Sequence, residues 1–408
     1  MLRILSAPVI YALELTPACN NHCPGCPNHL ATGGSEQQPL SFSTWCRILD
    51  RLVPHARRLK LTGGEPTLHP DFLSIAERID SVGLDFTVFT NGCWEKPETL
   101  VGTLSRLNRL TGLLVSLHGA SAQSHEAFTK VEGSFQETQE NIRRAVAVGL
   151  PITISTVLTE PNLDEISDIV QFAEQLGTTH VVFNRYLGPD VDGLTPSPSE
   201  LACAVRQIET LRREGHAVKF GNCIPQCFLP NESSGCLAGV AYCAVGPSGE
   251  VRPCTHSAVV AGNLLEESLD EIWWSAPMQA FRDSISPLCH HCQAFSVCHG
   301  GCKALAMNLG LESDPLARPA QGAACPPPKL LVLHPSLRPV GHFDVQREDW
   351  GLALLYGNRV CSVRVEAAGV LALLDGQTSL AEIEARCGPS ALSLVGTLYQ
   401  KGFVSLQA

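Results

Sequence analysis

Three things are scarce in this chain. The first is positive charge: 29 lysines and arginines stand against 40 aspartates and glutamates, a formal net charge of −11. Such a balance repels phosphate backbones and anionic lipid, so no nucleic acid and no membrane is expected as a main partner. The second is a long apolar run; none is long enough to span a bilayer. The third is a signal segment. Met1 to Leu15 is apolar but short, holds Pro8 and Glu14, and reads as the start of a strand rather than a signal peptide. A cytoplasmic location follows as an expectation.

What the chain has in excess is cysteine, 18 in 408 residues. The length suggests two or three domains with a sizeable core. Without a secretory signal, and with C-x2-C spacings, the cysteines point to metal or clusters rather than disulfides. The first group is Cys19-Asn20-Asn21-His22-Cys23-Pro24-Gly25-Cys26, directly after an apolar run, Val9 to Thr16, that reads as a strand. Three thiolates can hold three irons of a [4Fe–4S] cube and leave the fourth open, whereas electron-transfer clusters close that position with a fourth cysteine. A zinc knuckle is the alternative, with His22 or His29 as fourth ligand.

The first half repeats one unit. Strands are expected at Arg58–Thr62, Asp85–Thr90, Leu113–His118, Ile152–Leu158 and His180–Tyr186, each followed by a helical pattern: Phe72–Val82, Pro97–Leu107, Phe135–Val148, Leu163–Leu176 and Pro198–Glu214. This alternation means parallel βα units, and with the first strand there are six. Ligands in such folds bind at the carboxyl ends of strands. Those ends carry the cysteine loop, then Gly63-Gly64-Glu65-Pro66, then Thr90-Asn91, then Ser116. Two glycines permit close backbone approach to a ligand, and the Glu65 carboxylate can accept from an ammonium. Asn184 and Arg185 end the sixth strand, facing either a ligand or a solvated rim.

Beyond Gly215 comes a second cysteine group. Cys236 is followed by twelve residues, Gly249, four residues and Cys254; then come Cys289, Cys292, Cys298, Cys302 and Cys325. Cys243 lies inside this block, and Cys223 and Cys227 precede it as buried structural cysteines, spare ligands or acid/base thiols. Cys46, Cys93, Cys203, Cys361 and Cys387 read as core. A proline-rich stretch from Ala317 to Pro339 reads as a linker. After it, Leu352–Tyr356 and Val360–Val365 flank Gly357-Asn358 as a hairpin. Helical patterns follow at Glu366–Leu374, Ser379–Arg386 and Ser390–Lys401.

Taken together, the cysteine loop and the GGEP turn resemble the radical S-adenosylmethionine (SAM) enzymes. The second block resembles the SPASM extension of their peptide-modifying members. The C-terminal unit resembles the PqqD-like recognition element for ribosomally made, post-translationally modified peptides (RiPPs), through Leu373-Leu374-Asp375-Gly376, Leu380-Ala381-Glu382-Ile383 and Leu398 to Phe403. The resemblance implies an α/β fold with a partial (β/α)6 barrel over 1–215. A small Cys-rich α+β SPASM domain would span 216–330, a linker 331–342 and a winged helix 343–408. It implies a SAM-binding [4Fe–4S] cluster on Cys19, Cys23 and Cys26, with SAM touched by Gly63, Gly64, Glu65, Pro66, Thr90, Asn91 and Ser116. It implies one auxiliary cluster on Cys236, Cys254 and Cys302 with Cys243 as a possible fourth ligand, and another on Cys289, Cys292, Cys298 and Cys325. The implied activity is reductive cleavage of SAM to a 5′-deoxyadenosyl radical that modifies a precursor peptide by crosslinking, epimerisation or backbone excision. The implied partners are that peptide with its leader and a flavodoxin- or ferredoxin-type electron donor. A sulfatase-maturing relative and a non-enzymatic zinc scaffold are the other readings.

Overall fold

The computed structural model describes residues 2–26, 38–189, 193–229, 235–318 and 333–407. The six expected strands are present as β1 (Ile10–Glu14), β2 (Arg58–Thr62), β3 (Asp85–Thr90), β4 (Leu110–Ser116), β5 (Ile152–Leu158) and β6 (His180–Arg185). All neighbours pair in parallel, in chain order. The right-sized apolar alternation explains the register: Leu59, Leu61, Phe86, Val88, Leu113 and Val115 pack against the helices in one core. The opposite face of the same strands is then free to carry polar groups.

The expected boundary at residue 215 is crossed by the sheet. β7 (Val218–Phe220) continues it beside β6, and β8 (Tyr242–Val245) pairs in parallel with β1 on the other side. β9 (Glu250–Arg252) and β10 (Gly262–Asn263) then add antiparallel. The result is one ten-stranded sheet in the order β10-β9-β8-β1-β2-β3-β4-β5-β6-β7. β7 and β8 do not pair, so eight parallel strands are present without closing a barrel. The cysteine-rich half is thus built onto the first strand of the barrel. Its helix Leu269–Trp273, started by a Ser268–Glu271 capping box, sends Trp273 Nε1 to the Leu5 carbonyl at 2.8 Å.

The C-terminal unit begins before residue 343. Part of the presumed linker forms β11 (Arg338–Gly341), which pairs antiparallel with β15 (Val404–Gln407) at the end of the chain. Pro339 is tolerated there because this two-stranded ribbon is all edge. Between them, β12 (Asp344–Glu348), β13 (Gly351–Tyr356) and β14 (Arg359–Val363) form an antiparallel sheet. The helices Ala368–Leu371, Leu380–Cys387 and Ser390–Gln400 follow. Leu352, Leu354, Cys361 and Val363 cover these helices, while Ala353 and Leu355 pack on Leu5, Val9 and Ile10. Arg3 to Ser362, Ser6 to Glu348 and Trp350 Nε1 to the Ile4 carbonyl complete the seam. Among the described residues no helix is long and apolar enough to cross a membrane.

Candidate functional site

The first cysteine loop leaves β1 and is held from three sides. His22 N–H donates to the Thr129 carbonyl at 2.8 Å, Asn20 Nδ2 to the Cys93 carbonyl at 2.9 Å, and Cys26 N–H to the Cys23 carbonyl at 3.3 Å. Gly25 has φ +67°, and a Cβ there would collide with the Tyr186 hydroxyl, so this turn between the second and third thiols demands glycine. Cys26 is close enough to act on both Cys19 and Cys23, and Cys19 on Cys23. Burial pushes Cys19 up to about 11, with Glu65 and Cys26 adding to it; burial raises Cys23 further, with Cys26 and Cys19 adding to it. A mononuclear zinc wants four donors at about 2.3 Å for sulfur. Among the described residues no three His, Cys, Asp or Glu side chains are set to hold one metal ion. His29 lies outside the described residues.

The glycines of the β2 turn serve a different contact from the one expected. A Cβ on Gly63 would meet the Thr16 carbonyl, and one on Gly64 the Ala18 carbonyl. Gly64 N–H donates to Thr16 O and Glu65 N–H to Ala18 O, both at 2.7 Å. The pair therefore lets the turn dock on the cysteine loop itself. Glu65 is fully buried, and its carboxylate points into the protein. Oε1 accepts from Thr67 N–H at 3.1 Å, Thr67 Oγ1 at 2.6 Å and Thr90 Oγ1 at 2.8 Å; Oε2 accepts from Asn91 N–H at 2.7 Å. Burial raises its pKa and these bonds oppose the shift. The carboxylate ties β2 to β3 in this structure rather than standing free for an ammonium. Pro66 opens the short 3-10 turn that Glu65 caps.

Asn91 completes the link. Its Nδ2 donates to Asn20 Oδ1 at 2.6 Å and lies 3.8 Å from Cys19 Sγ, while Oδ1 accepts from Cys93 N–H. Hydrogen bonds to the sulfurs are one lever on a cluster's potential. Ser116 ends β4, half-buried, and its register partner is Ser155 on β5. Asn184 Nδ2 donates to Ser155 Oγ at 3.0 Å, which extends a polar row across three neighbouring strands. Lys60 lies on the face opposite Leu59 and Leu61, 4.9 Å from the Tyr242 ring and 5.7 Å from Phe89. Burial pulls its ammonium down to about 8, helped by Arg58. Glu14 pairs with Arg252 nearby, both about 1% exposed, and burial pushes Glu14 up to about 7. Sequence reasoning missed Lys60, Ser155 and Arg252; a lysine between two core leucines on a strand was the available signal.

Arg185 is not on a solvated rim. It is 3% exposed and forms a two-pronged pair with Asp314, 2.8 Å from Nη1 to Oδ1. Asp314 also accepts the Cys302 N–H at 2.7 Å, so the end of β6 is bolted to the second cysteine block. There, Cys236, Cys254 and Cys302 pack together with Phe281, Leu305 and Tyr242. Burial, then Cys302 and Cys236, raise Cys254; burial, then Cys236, with Arg185 opposing, takes Cys302 up to about 11. Cys243 does not join them. It is 0% exposed in the middle of β8, register partner of Tyr11, in the core that contains Tyr11 and Leu13. Strand alternation is the reason: Tyr242 turns toward the cysteines, so Cys243 must turn away. The third group, Cys289, Cys292 and Cys298, lines a cavity with Cys227, Pro225, Phe295 and Gly300. Cys325 lies outside the described residues. Cys203, expected in the core, is exposed.

The radical SAM superfamily profile matches residues 13–173, and the SPASM profile, an iron–sulfur cluster-binding domain, matches residues 236–293. The mycofactocin maturase MftC of Mycobacterium ulcerans is 30% identical over 334 residues, 76% of this chain and 87% of that protein. The chain belongs to the radical SAM family. It is a radical SAM enzyme with a SPASM domain, and its cofactors are [4Fe–4S] clusters and SAM. The AdoMet-dependent heme synthase of Methanosarcina barkeri is 29% identical over 332 residues, covering 75% of this chain and 94% of that protein. Streptococcus suis SuiB bound to the precursor peptide SuiA has the same fold, with a TM-score of 0.66 at 18% identity over 77% of each chain. The three thiols of the first loop and the two cysteine groups beyond β7 fit the clusters this family carries.

Proposed function

We propose that this enzyme is a RiPP maturase that modifies a leader-bearing precursor peptide at the carboxyl ends of β1 to β6. When bound, cluster and SAM supply an electron and a 5′-deoxyadenosyl radical able to take hydrogen from an unactivated carbon. The chain's own part is placement. Gly63 and Gly64 seat the β2 turn on the cysteine loop, Glu65 locks that turn to Asn91, and Asn91 reaches Cys19. Ser116, Ser155 and Asn184 offer hydrogen-bonding groups where substrate and nucleoside would lie. Three clusters in all, one on Cys19, Cys23 and Cys26 and two in the SPASM domain, follow from the three thiol groups. A flavodoxin or ferredoxin is the class of donor such clusters use.

What supports a peptide as substrate is the C-terminal domain. The hairpin expected at Leu352–Val365 gains a third strand, β12, which leaves β13 central and β14 on an edge. An edge strand offers backbone donors and acceptors to an added peptide strand. The domain docks at the amino end of β1, whereas the cluster loop leaves its carboxyl end. Five residues of strand separate the two, about 17 Å at ~3.3 Å each. A bound peptide therefore needs about six or more extended residues between its leader and the modified position. Inserting or removing residues there, read by mass spectrometry of the product, tests the reading: shortening below that span should abolish modification, and indifference to length would refute this path. The heme synthase relative supports a tetrapyrrole substrate instead, and sulfatase-type maturation a folded protein. Neither reading gives the C-terminal domain a task.

A further inference from the structure

We propose that Cys223, and not Cys243, is the fourth thiolate of the first auxiliary cluster, closing the site formed by Cys236, Cys254 and Cys302. The inference rests on reading this half as a cluster-bearing domain and settles whether that cluster has an open iron.

The loop after β7 is held in place. Asn222 accepts the Arg185 N–H at 3.0 Å and returns its Nδ2 to the Arg185 carbonyl at 2.7 Å. The Arg185 side chain grips Asp314, and Asp314 takes the Cys302 N–H. One unbroken chain of hydrogen bonds thus fixes the residue before Cys223 relative to Cys302. Four residues further on, Cys227 already lines the cavity of Cys289, Cys292 and Cys298. Gln226 N–H lies 3.5 Å from Cys298 Sγ. The loop therefore passes between the two cysteine groups, with Cys223 at the first and Cys227 at the second.

Charge supports the same assignment. Lys303 is 3% exposed, and its ammonium has no hydrogen-bond partner among the described residues. Cys236, Cys223 and Cys254 are the thiols near enough to act on it. A buried ammonium without an anion is costly, so this position calls for negative charge among those thiols. Cys236, Arg185 and Cys302, and after them Cys298 of the other group, are the charged neighbours of Cys223. Lys303 thus faces the group that includes Cys223, with Arg185, already paired with Asp314, beside it. Cys243 has only Arg282 acting on it beyond burial, and sits in an apolar core.

With four cysteines the cluster has no vacant iron, so it can pass electrons but cannot bind a substrate thiolate or amide. The test uses the full chain with Cys19, Cys23 and Cys26 changed to alanine, which leaves two auxiliary clusters and about eight irons. Into it go Cys223→Ala, Cys223→Ser and Cys243→Ala. After mild oxidation with ferricyanide, Cys223→Ala should lose one iron and show a [3Fe–4S] electron paramagnetic resonance signal. Cys223→Ser should keep that iron through its oxygen with a shifted spectrum, and Cys243→Ala should match the parent. If Cys223→Ala prevents assembly of the cluster altogether, an altered spectrum in Cys223→Ser still supports the proposal and an unaltered one overturns it. A parent-like spectrum in both Cys223 variants, or iron loss from Cys243→Ala, overturns it too. A parent without iron would overturn the cluster reading itself, a distinct result.

Discussion

The two ends of the molecule that hold thiols are neutralised differently. Around Cys19 and Cys23 the strongest electrical neighbours among the described residues are other thiols and Glu65, all of one sign. Around Cys236, Cys254 and Cys302 stands the buried Lys303, with Arg185, itself paired with Asp314, next to it. A cluster coordinated by thiolates is anionic wherever it sits. At the auxiliary group the protein supplies the compensating charge in fixed side chains. None of the leading neighbours among the described residues supplies it at the first loop, and SAM, a sulfonium with an ammonium, has that character. Selectivity for a cationic ligand at one site, and closure at the other, are then two outcomes of the same electrostatic requirement.

The largest effect that would break this contrast comes from the first loop. Changing Cys19, Cys23 and Cys26 to alanine should remove about four of about twelve irons and abolish 5′-deoxyadenosine formation. Four irons or fewer in the intact chain would remove the auxiliary half of the contrast altogether. Next is the bolt between the halves. Asp314→Ala leaves Arg185 buried without its partner and should cost about 3–5 kcal/mol in denaturant unfolding. A loss below 1 kcal/mol would mean that the pair does not join them.

Glu65→Ala strands the donors of Thr67, Thr90 and Asn91 and should cost roughly 3 kcal/mol. SAM affinity, by calorimetry, should fall with iron retained, because the turn and Asn91 lose their tie. Glu65→Gln should recover part of both. Lys303→Met sharpens the contrast further: without the cation the reduced auxiliary cluster is less favoured. Its potential should drop by about 60 mV, one tenfold step for a one-electron couple, while SAM binding stays unchanged. A separate effect concerns Lys60, the barrel-side cation. Its native pKa, about 8, lies below that of the unfolded chain. The fold therefore bears a charging cost below pH 8 that vanishes as pH rises toward 10. Lys60→Met should be the more stable form at pH 7, by on the order of 2 kcal/mol, and the difference should shrink by pH 9.5.

The barrel strands were legible because period-two apolar patterns at Arg58–Thr62, Asp85–Thr90 and Ile152–Leu158 are local. The helix Phe42–Leu52 was not anticipated, although Ser41 caps it and its buried face repeats at Trp45, Ile48, Leu49 and Leu52. β7 and β8 were missed because three- and four-residue strands carry too few positions for a pattern, and pairing of β8 with β1 is a contact across more than two hundred residues. The same distance hid the role of Cys243. Cysteine spacing is blind to which side of a strand a side chain takes. Glu65 was found by its motif, but its inward turn depends on Thr90 and Asn91, which only the β2–β3 pairing brings near. Cys223 and Cys227 fell outside the motif, and only the fold places them beside the two cysteine groups.

The measurement that tests the account most directly follows the precursor peptide. The reconstituted full-length enzyme, with SAM and a reductant, is given the peptide encoded by a neighbouring short reading frame, with and without its leader. A second enzyme lacks residues 333–408, a boundary placed ahead of β11 rather than at residue 343, and a third carries changes only on the β14 edge. The account predicts a mass change in the leader-bearing peptide with the intact enzyme. It predicts strong loss with either altered enzyme or with the leader removed, while 5′-deoxyadenosine still forms without the peptide. SAM cleavage with no mass change in the peptide, or equal modification by all three enzymes, would contradict it.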